Sequence, residues 1–378
     1  MNVKFRTSEI TSTLSQVNAV VPQKSTIPIL SNVLVVTRDD GKGGTEAIWQ
    51  TSDSEVWMQM KTPLLSGESG KKFCINSNDF LRAVKNLDDA EVSMEFDDDK
   101  NIVTCDYGKG QFSLPYGDGS EFPMPISNNE TSASMLISSQ SLLKAIDKTL
   151  FAVGNDPLRL VINGIHFDSF GDTIVAAAID GQKFARYKTT GISHADSEHF
   201  SFTLPTKLCI LIKSLLSSIE ETTIKIAFEN SSAVFSCQRF RVTSRLIEGR
   251  YPPYEKAISG EAGMVVKIDK NEMLQALKRV LPLGSLMSEL VKCSFSKNKL
   301  VVSAQDISFS KAAKEEIPCE YDGEDIEIGF KGSSLQQTLS NLDGDYAMIE
   351  LTSHKKAGIF YDTDKDSFLS LLAPLLIA

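Results

Sequence analysis

The sequence has few of the residues that build reactive or metal-binding sites. Four histidines and six cysteines are scattered through 378 residues, without metal-ligand spacing and without a C-x-x-C pair. Such thiols are typical of buried small side chains in a reducing compartment. The longest mostly apolar run, residues 368–378, is far shorter than the roughly 20 residues that cross a bilayer. We therefore expect no cofactor, no metal and no membrane span. Residues 1–6 lack the apolar region of a secretory signal, so a cytoplasmic location is expected.

Catalytic motifs are also missing. Residues 141–144 match S-x-x-K, but the S-D-N and K-T-G elements of that enzyme class are absent. Residues 362–366 begin like a calcium loop, but Ser367 replaces the required glycine. The sequence therefore predicts a protein that is not an enzyme.

A weak internal repeat with a period near 126 residues is the most informative feature that is present. In each copy a short strand runs into an amphipathic helix, then a strand pair ends on Asp53, Asp180 or Asp306. A second strand-to-helix junction and alternating β-hairpins follow. The pattern predicts an α+β fold of three repeated domains, each with two helices packed on antiparallel sheets. We expect the domains to span residues 1–126, 127–253 and 254–378, with boundaries at proline-bearing stretches.

The net charge of −10 argues against nucleic acid as a partner, but the charges are segregated. The six predicted helices (7–19, 77–87, 138–150, 205–219, 269–281 and 331–342) together carry +5, which leaves −15 for the rest. Basic residues on a helix face often serve only solubility. Their repetition favours a surface that attracts phosphate. The candidate cations are Arg82, Lys85, Lys144, Lys148, Lys207, Lys213, Lys278 and Arg279.

Domain size suggests how such a surface could be used. A domain of this length is about 36 Å across when treated as a sphere. Six in a ring leave a hole of about 36 Å, which accommodates a duplex of roughly 20 Å with a water layer. Three leave too little room and nine leave too much. Two chains of three domains that close into a ring are therefore the expected assembly.

Four stretches then resemble one family: residues 26–32, 163–164, 178–185 and 247–254, which read TIPILSN, NG, AIDGQKFA and IEGRYPPY. They are similar to the bacterial sliding clamp, the beta subunit of DNA polymerase III, in order and spacing along the whole chain. The resemblance implies a head-to-tail homodimer that encircles duplex DNA without sequence specificity. It also implies that the ring tethers the replicative DNA polymerase and other clamp-binding-motif proteins for processive synthesis, and that a clamp loader opens it.

The resemblance also assigns site residues. Lys24 matches the DNA-contacting loop residue, and Phe112, Val280 and Leu281 are expected at the dimer interface. The expected partner-peptide pocket contains Arg159, Val161, Ile179, Gly181, Lys183, Phe184, Pro252, Leu371, Leu372, Pro374 and Leu375. Residues 181–184 (GQKF) and the end of the chain depart from the family pattern.

Two other classes of protein are alternatives. An extracellular β-rich ligand-binding protein would be favoured by a signal peptide and paired cysteines, and a DNA-processing enzyme would need a carboxylate or histidine cluster. None of these features is found in the sequence.

Overall fold

The fold is described from a computed structural model. It covers residues 2–125, 133–194, 199–229, 231–258 and 263–377, without the side chains of residues 2, 256 and 257. The predicted domain boundary at residues 126–127 lies outside these ranges. None of the helices in the described ranges is long and apolar enough to cross a membrane.

Within the described ranges, twenty-five strands account for most of the regular structure. In chain order they are β1 (Asn2–Arg6), β2 (Asn32–Asp39), β3 (Thr45–Ser52), β4 (Val56–Leu64), β5 (Lys72–Asn76), β6 (Glu91–Asp97), β7 (Ile102–Asp106), β8 (Gln111–Asp118), β9 (Ala133–Ser138), β10 (Gly164–Phe170), β11 (Thr173–Ile179), β12 (Lys183–Thr190), β13 (Ser193–His194), β14 (Phe200–Pro205), β15 (Thr223–Glu229), β16 (Ser232–Ser236), β17 (Phe240–Arg245), β18 (Met264–Asp269), β19 (Leu290–Ser296), β20 (Lys299–Asp306), β21 (Lys311–Glu320), β22 (Ile326–Lys331), β23 (Tyr346–Leu351), β24 (Gly358–Tyr361) and β25 (Phe368–Leu372).

The helices are α1 (Thr7–Val17), α2 (Ser77–Lys85), α3 (Ser139–Leu150), α4 (Thr206–Leu216), α5 (Glu255–Ile258), α6 (Lys270–Val280) and α7 (Gly332–Ser340). All six predicted helices are present, and each begins directly after a strand. The prediction of repeated helices on antiparallel strands is therefore confirmed. Among the helices of the described residues, only the short α5 was not predicted.

The chain divides into two compact units, and each contains one long sheet. The first unit comprises Met1–Ser139, Ser193–Asp196 and Ile210–Leu246, and its strand order is β1-β6-β7-β8-β5-β2-β3-β4-β17-β16-β15-β9-β13. The second comprises Gln140–Ile192, Ser197–Cys209 and Ile247–Ala378, with the order β14-β10-β11-β12-β25-β24-β23-β18-β21-β20-β19-β22. Each sheet joins strands of two repeats. In the first unit β17 of the second repeat pairs with β4 of the first repeat, and in the second unit β25 of the third repeat pairs with β12 of the second repeat.

Apolar periodicity explains why the helices lie on the sheets. In α1 the buried residues Ile10, Leu14 and Val17 recur at intervals of four and three, so they share one face. Phe80 of α2 is fully buried and packs against Phe5 of β1, with ring centroids 6.1 Å apart, and against Trp49 of β3 at 6.0 Å. Aromatic packing between a helix and its sheet therefore forms the core of this repeat.

The three aspartates that mark the repeat perform the same local task. Asp53 Oδ1 accepts the backbone N–H groups of Glu55 and Val56 at 2.9 and 2.7 Å, and Asp180 Oδ1 accepts those of Gln182 and Lys183. Asp306 Oδ1 accepts the N–H of Phe309 at 3.3 Å. A short carboxylate satisfies backbone donors where the chain leaves a strand. This shared turn accounts for the repeat marker in the sequence.

Candidate functional site

Most residues of the expected partner-peptide pocket meet at one part of the second unit's sheet. Strand β25 pairs with β12, so that Leu371 faces Phe184 and Leu372 faces Lys183. The Ser370 hydroxyl donates to the Phe184 carbonyl oxygen at 2.9 Å. The end of the chain is thus a strand of the sheet, followed by a segment in which the Ala373 N–H donates to the Gln182 carbonyl at 2.7 Å. Residues about 190 positions apart in sequence become neighbours by this pairing.

The turn between β11 and β12 has a backbone that needs glycine. Gly181 has φ +92°, a left-handed conformation that side chains other than glycine's rarely adopt. Asp180 accepts two N–H groups in this turn, and its Oδ2 lies 2.7 Å from the Lys183 ammonium. The position of Lys183 is therefore set by its own turn.

Arg159 is held in a similar way. Its Nε donates to Asp156 Oδ2 at 2.7 Å, and this hydrogen bond lowers the pKa of the Asp156 carboxyl. A Cβ atom on Gly181 would lie 3.6 Å from the Arg159 guanidinium, so the two residues are close. Both basic residues of the expected pocket are thus paired with an aspartate three positions earlier.

The apolar part of the pocket is a cluster with a buried floor and half-exposed sides. Phe184, Tyr251, Tyr254 and Leu371 are buried, with Ala177 and Leu369. Partly buried side chains pack against them, namely Val161, Val175, Ile179, Ile258, Ala357, Ile359 and Tyr361. Pro252 is half-buried. Half-exposed apolar side chains over a rigid floor can accept apolar side chains of a peptide.

The expected pocket residues near the end of the chain differ in how much of their surface is exposed. Leu372 is 1% exposed, so its side chain belongs to the core and offers no open surface. Pro374 and Leu375 are half-buried, and the Leu375 N–H donates to the Gly329 carbonyl at 2.8 Å. The pairing of β25 with β12 buries Leu372, so this residue supports the pocket from within the sheet, and its role in binding a peptide stays a prediction.

A polar network beneath the pocket was not anticipated from the sequence. The Tyr254 hydroxyl donates to Asp168 Oδ2 at 2.6 Å, and His166 Nε2 lies 3.3 Å from Asp168 Oδ1. The His166 ring stacks on Tyr251 with centroids 4.4 Å apart. Burial would raise the pKa of Asp168, but hydrogen bonds from His166 and Tyr254 outweigh it and lower that pKa. The YPPY stretch was visible in the sequence, whereas its partners on β10 became evident only through the sheet.

The expected DNA-facing cations fall into distinct groups. Lys24, Arg82, Lys85 and Lys278 are exposed, and no described residue forms an ion pair with them. Lys207 and Lys213 are exposed on α4. Arg279 is paired with Glu315, and Lys144 lies 3.2 Å from Asp343.

Lys148 is the exception among these cations. Its side chain is 7% exposed and lies 2.6 Å from Asp343 Oδ1. The prediction of an exposed Lys148 on α3 is wrong, because its ammonium group pairs with the Asp343 carboxylate and its side chain is buried.

Residues expected at the dimer interface lie near two open strand edges. Phe112 is half-exposed on β8, where residues 111–115 pair with β7 while β5 reaches only residues 116–118. Residues 311–316 of β21 pair with β20, and β18 reaches only Cys319 and Glu320. Within the described ranges no strand covers the other side of either segment. Leu281 is half-buried, and the Val280 side chain is 1% exposed and packs in the core beneath α6. Contact of this helix end with a second subunit stays a prediction, in which Leu281 offers the accessible side chain.

Comparisons with known proteins agree along the whole chain. Family models of the DNA polymerase III beta subunit match in series: the N-terminal domain at residues 1–126, the central domain at 136–253 and the C-terminal domain at 256–375. The beta sliding clamp of Synechococcus elongatus is 26% identical over 363 residues, covering 94% of this chain and 93% of that protein. The beta sliding clamp of Haemophilus influenzae is 25% identical and covers 96% of each.

Solved structures have the same fold. A sliding clamp of Pseudomonas aeruginosa bound to griselimycin superimposes with a TM-score of 0.93, at 21% identity and with full coverage of both chains. The beta subunit of Thermotoga maritima gives a TM-score of 0.89 at 19% identity, also with full coverage. Because the three domain models together span nearly all of the sequence, the chain belongs to the family of DNA polymerase III beta subunits, the sliding clamps, which are non-catalytic processivity factors of replication.

Proposed function

We propose that two copies of this chain close head to tail into a ring that encircles duplex DNA and tethers the replicative polymerase to it. The observation that supports this most strongly is the succession of three clamp-domain matches along one chain. The proposed domains are residues 1–126, 127–253 and 254–378, so that two chains supply six. The proposed location is the cytoplasm.

Ring closure is supported by the two open edges. An unpaired strand edge is a template for pairing with another chain. The β8 segment 111–115 and the β21 segment 311–316 lie at different ends of the sequence, so pairing one with the other in a second copy gives a head-to-tail contact. Such a contact closes into a ring when the rotation per subunit permits it. Phe112 lies on the β8 segment, and Leu281 begins a short 3-10 helix, Leu281–Leu283, that contacts β21.

Non-specific binding of DNA is supported by the exposed helix cations. Arg82 and Lys85 of α2, Lys278 of α6 and Lys24 can approach phosphates without competition from an ion pair within the chain. Contacts of this kind fix no sequence and weaken as salt rises. The negative charge on the rest of the chain is compatible with this function. Attraction to DNA depends on the charges close to the phosphates rather than on the net charge of the protein.

Partner binding is supported by the apolar cluster around Phe184 and Leu371. Val161, Ile179 and Pro252 leave part of their surface open beside it, and Arg159 and Lys183 offer donors at fixed positions. We propose that clamp-binding peptides of the polymerase, the clamp loader and other partners dock here, between the second and third proposed domains.

The test is an image of the particle together with its mass. Electron microscopy should show rings, and light scattering at micromolar concentration should give about twice the 41.5 kDa of one chain. Purely monomeric protein, or open filaments, would contradict the proposal.

A further inference from the structure

The turn between α7 and β23, residues 341–345, makes a charged contact with helix α3. Asp343 in this turn lies 2.6 Å from the Lys148 ammonium and 3.2 Å from the Lys144 ammonium. One carboxylate therefore holds both basic residues of a helix whose charge was expected to face DNA.

The two lysines are held to different degrees. Lys148 is buried, donates also to the Asn341 carbonyl oxygen, and lies 4.9 Å from the centre of the Phe368 ring. Lys144 keeps about half of its side chain exposed, at 53%. Lys144 could therefore swing towards solvent if its partner were removed, whereas Lys148 is enclosed.

The backbone that carries the Asp343 carboxylate is held by its surroundings. The N–H groups of Asp343 and Gly344 both donate to the Asp362 carboxylate at 3.1 Å, and the Lys270 ammonium donates to the Leu342 carbonyl at 2.9 Å. These three hydrogen bonds hold the turn through two side chains, Asp362 and Lys270. Asp343 is thus a placed counter-charge rather than a mobile surface group, although its side chain is 60% exposed.

Helix α2 provides the contrast within the same chain. Arg82 and Lys85 are exposed there and form no ion pair with a described residue. Equivalent positive charge is thus available on one helix and neutralised on another. Since each phosphate contact adds to affinity and to residence time, neutralising a cation weakens the hold on DNA.

We propose that Asp343 limits the attraction between the ring and DNA by holding Lys144 away from the phosphates. This inference rests on the proposed encirclement of DNA by the basic helices. A ring that must move along the duplex needs contacts that are weak and few, and Asp343 removes one contact per chain without removing the lysine. The residue positions Lys144 and does not itself touch DNA.

The experiment compares Asp343→Asn with Asp345→Asn. Asp345 is exposed in the same turn and forms no ion pair with a described residue, so its substitution removes the same charge without releasing a lysine. Binding to a short duplex hairpin is titrated by fluorescence anisotropy between about 20 and 200 mM salt, where the electrostatic contribution is large. Asp343→Asn should bind several-fold more tightly at the lowest salt. The slope of log K against log salt should steepen by up to about 1.8 per ring, from about 0.9 for each of two new phosphate contacts.

The double variant Asp343→Asn with Lys144→Ala identifies the source of the gain. It should return to within about twofold of the unaltered protein, as should Asp345→Asn. Equal effects of the two asparagine variants, or a gain that persists without Lys144, would overturn the inference. If the unaltered protein and all variants fail to bind DNA, the proposed function fails instead.

A second comparison does not depend on the folding of Asp343→Asn. Lys144→Ala alone should change DNA affinity by less than about twofold, because Lys144 is already held. Lys85→Ala on α2 should reduce affinity by several-fold and lower the salt slope by up to about 1.8 per ring. Equal losses for both substitutions would show that Asp343 does not withhold Lys144.

Discussion

Substitutions at Leu372 and Leu375 should have different effects. We expect Leu372 to contribute mainly to stability and Leu375 mainly to partner binding. Leu372 lies within β25, which hydrogen-bonds to β12 and β24, and only 1% of it is exposed. Truncating a buried leucine to alanine costs about 2–5 kcal/mol. Leu372→Ala should therefore lower the free energy of unfolding by about that amount. Leu375 lies beyond the strand and is half-buried, so Leu375→Asp should cost much less.

The same two substitutions should have the opposite order of effect on a peptide. Burying one leucine-sized partner side chain against Leu375 is worth about 1.5–3 kcal/mol, or about tenfold to a few hundredfold in Kd. Urea denaturation gives the stabilities, and fluorescence titration with a polymerase-derived peptide gives the affinities. Leu376→Asp is the matched control, because that side chain is 92% exposed. The assignment is refuted if Leu375→Asp unfolds the protein as readily as Leu372→Ala yet leaves the peptide affinity intact.

Three further predictions concern assembly, the buried network and DNA. Phe112→Asp should weaken the dimer at least tenfold by placing a charge at the open edge of β8, measured by light scattering across a dilution series; an unchanged mass at all concentrations would contradict it. Asp168→Asn should destabilise the protein by about 1–3 kcal/mol at pH 7. Hydrogen bonds hold the pKa of folded Asp168 below the ordinary 3.8, so this stabilisation is present above pH 3.8 and is lost as the pH falls through the folded value. The difference in urea stability between the two proteins should therefore narrow as the pH is lowered below 3.8, and a constant difference would refute the assignment. Replacing both Arg82 and Lys85 with alanine should flatten the salt dependence of DNA binding and speed loss from circular DNA, and no change would remove α2 from the DNA-facing surface.

The order and type of the elements were largely predictable because each is encoded locally. The spacing of Ile10, Leu14 and Val17 indicates a helix wherever it occurs, and the alternation in β6 indicates a strand. Helix ends differ from the predicted ones by three residues at most, as expected where the last turn frays. The repeat marker was visible because Asp53, Asp180 and Asp306 each complete a turn with residues only two or three positions away.

Sites built by distant pairing were not predictable in the same way. Lys148 stands on the polar side of its own helix, and no local pattern indicates a carboxylate 195 positions later. Val280 is at a helix end, where exposure is the usual expectation, yet the last turn of α6 remains in the core. The pairing of β12 with β25, which continues the sheet, could not be predicted either. An alternating pattern predicts that a segment is a strand, but it does not specify which other strand pairs with it.

That pairing has a consequence for how partners can be bound. Strand β25 is both a member of the long sheet and the wall of the expected pocket, so the pocket rests on backbone hydrogen bonds to β12 and β24 rather than on a free chain end. Tyr254 adds a second support through Asp168, and Phe184 stacks on Tyr254 with ring centroids 5.5 Å apart. A site on rigid elements loses little conformational entropy when it is occupied, so a short peptide can bind with useful affinity through few contacts. Partner exchange at this surface would then be governed by the peptides themselves, since the receiving surface is already formed.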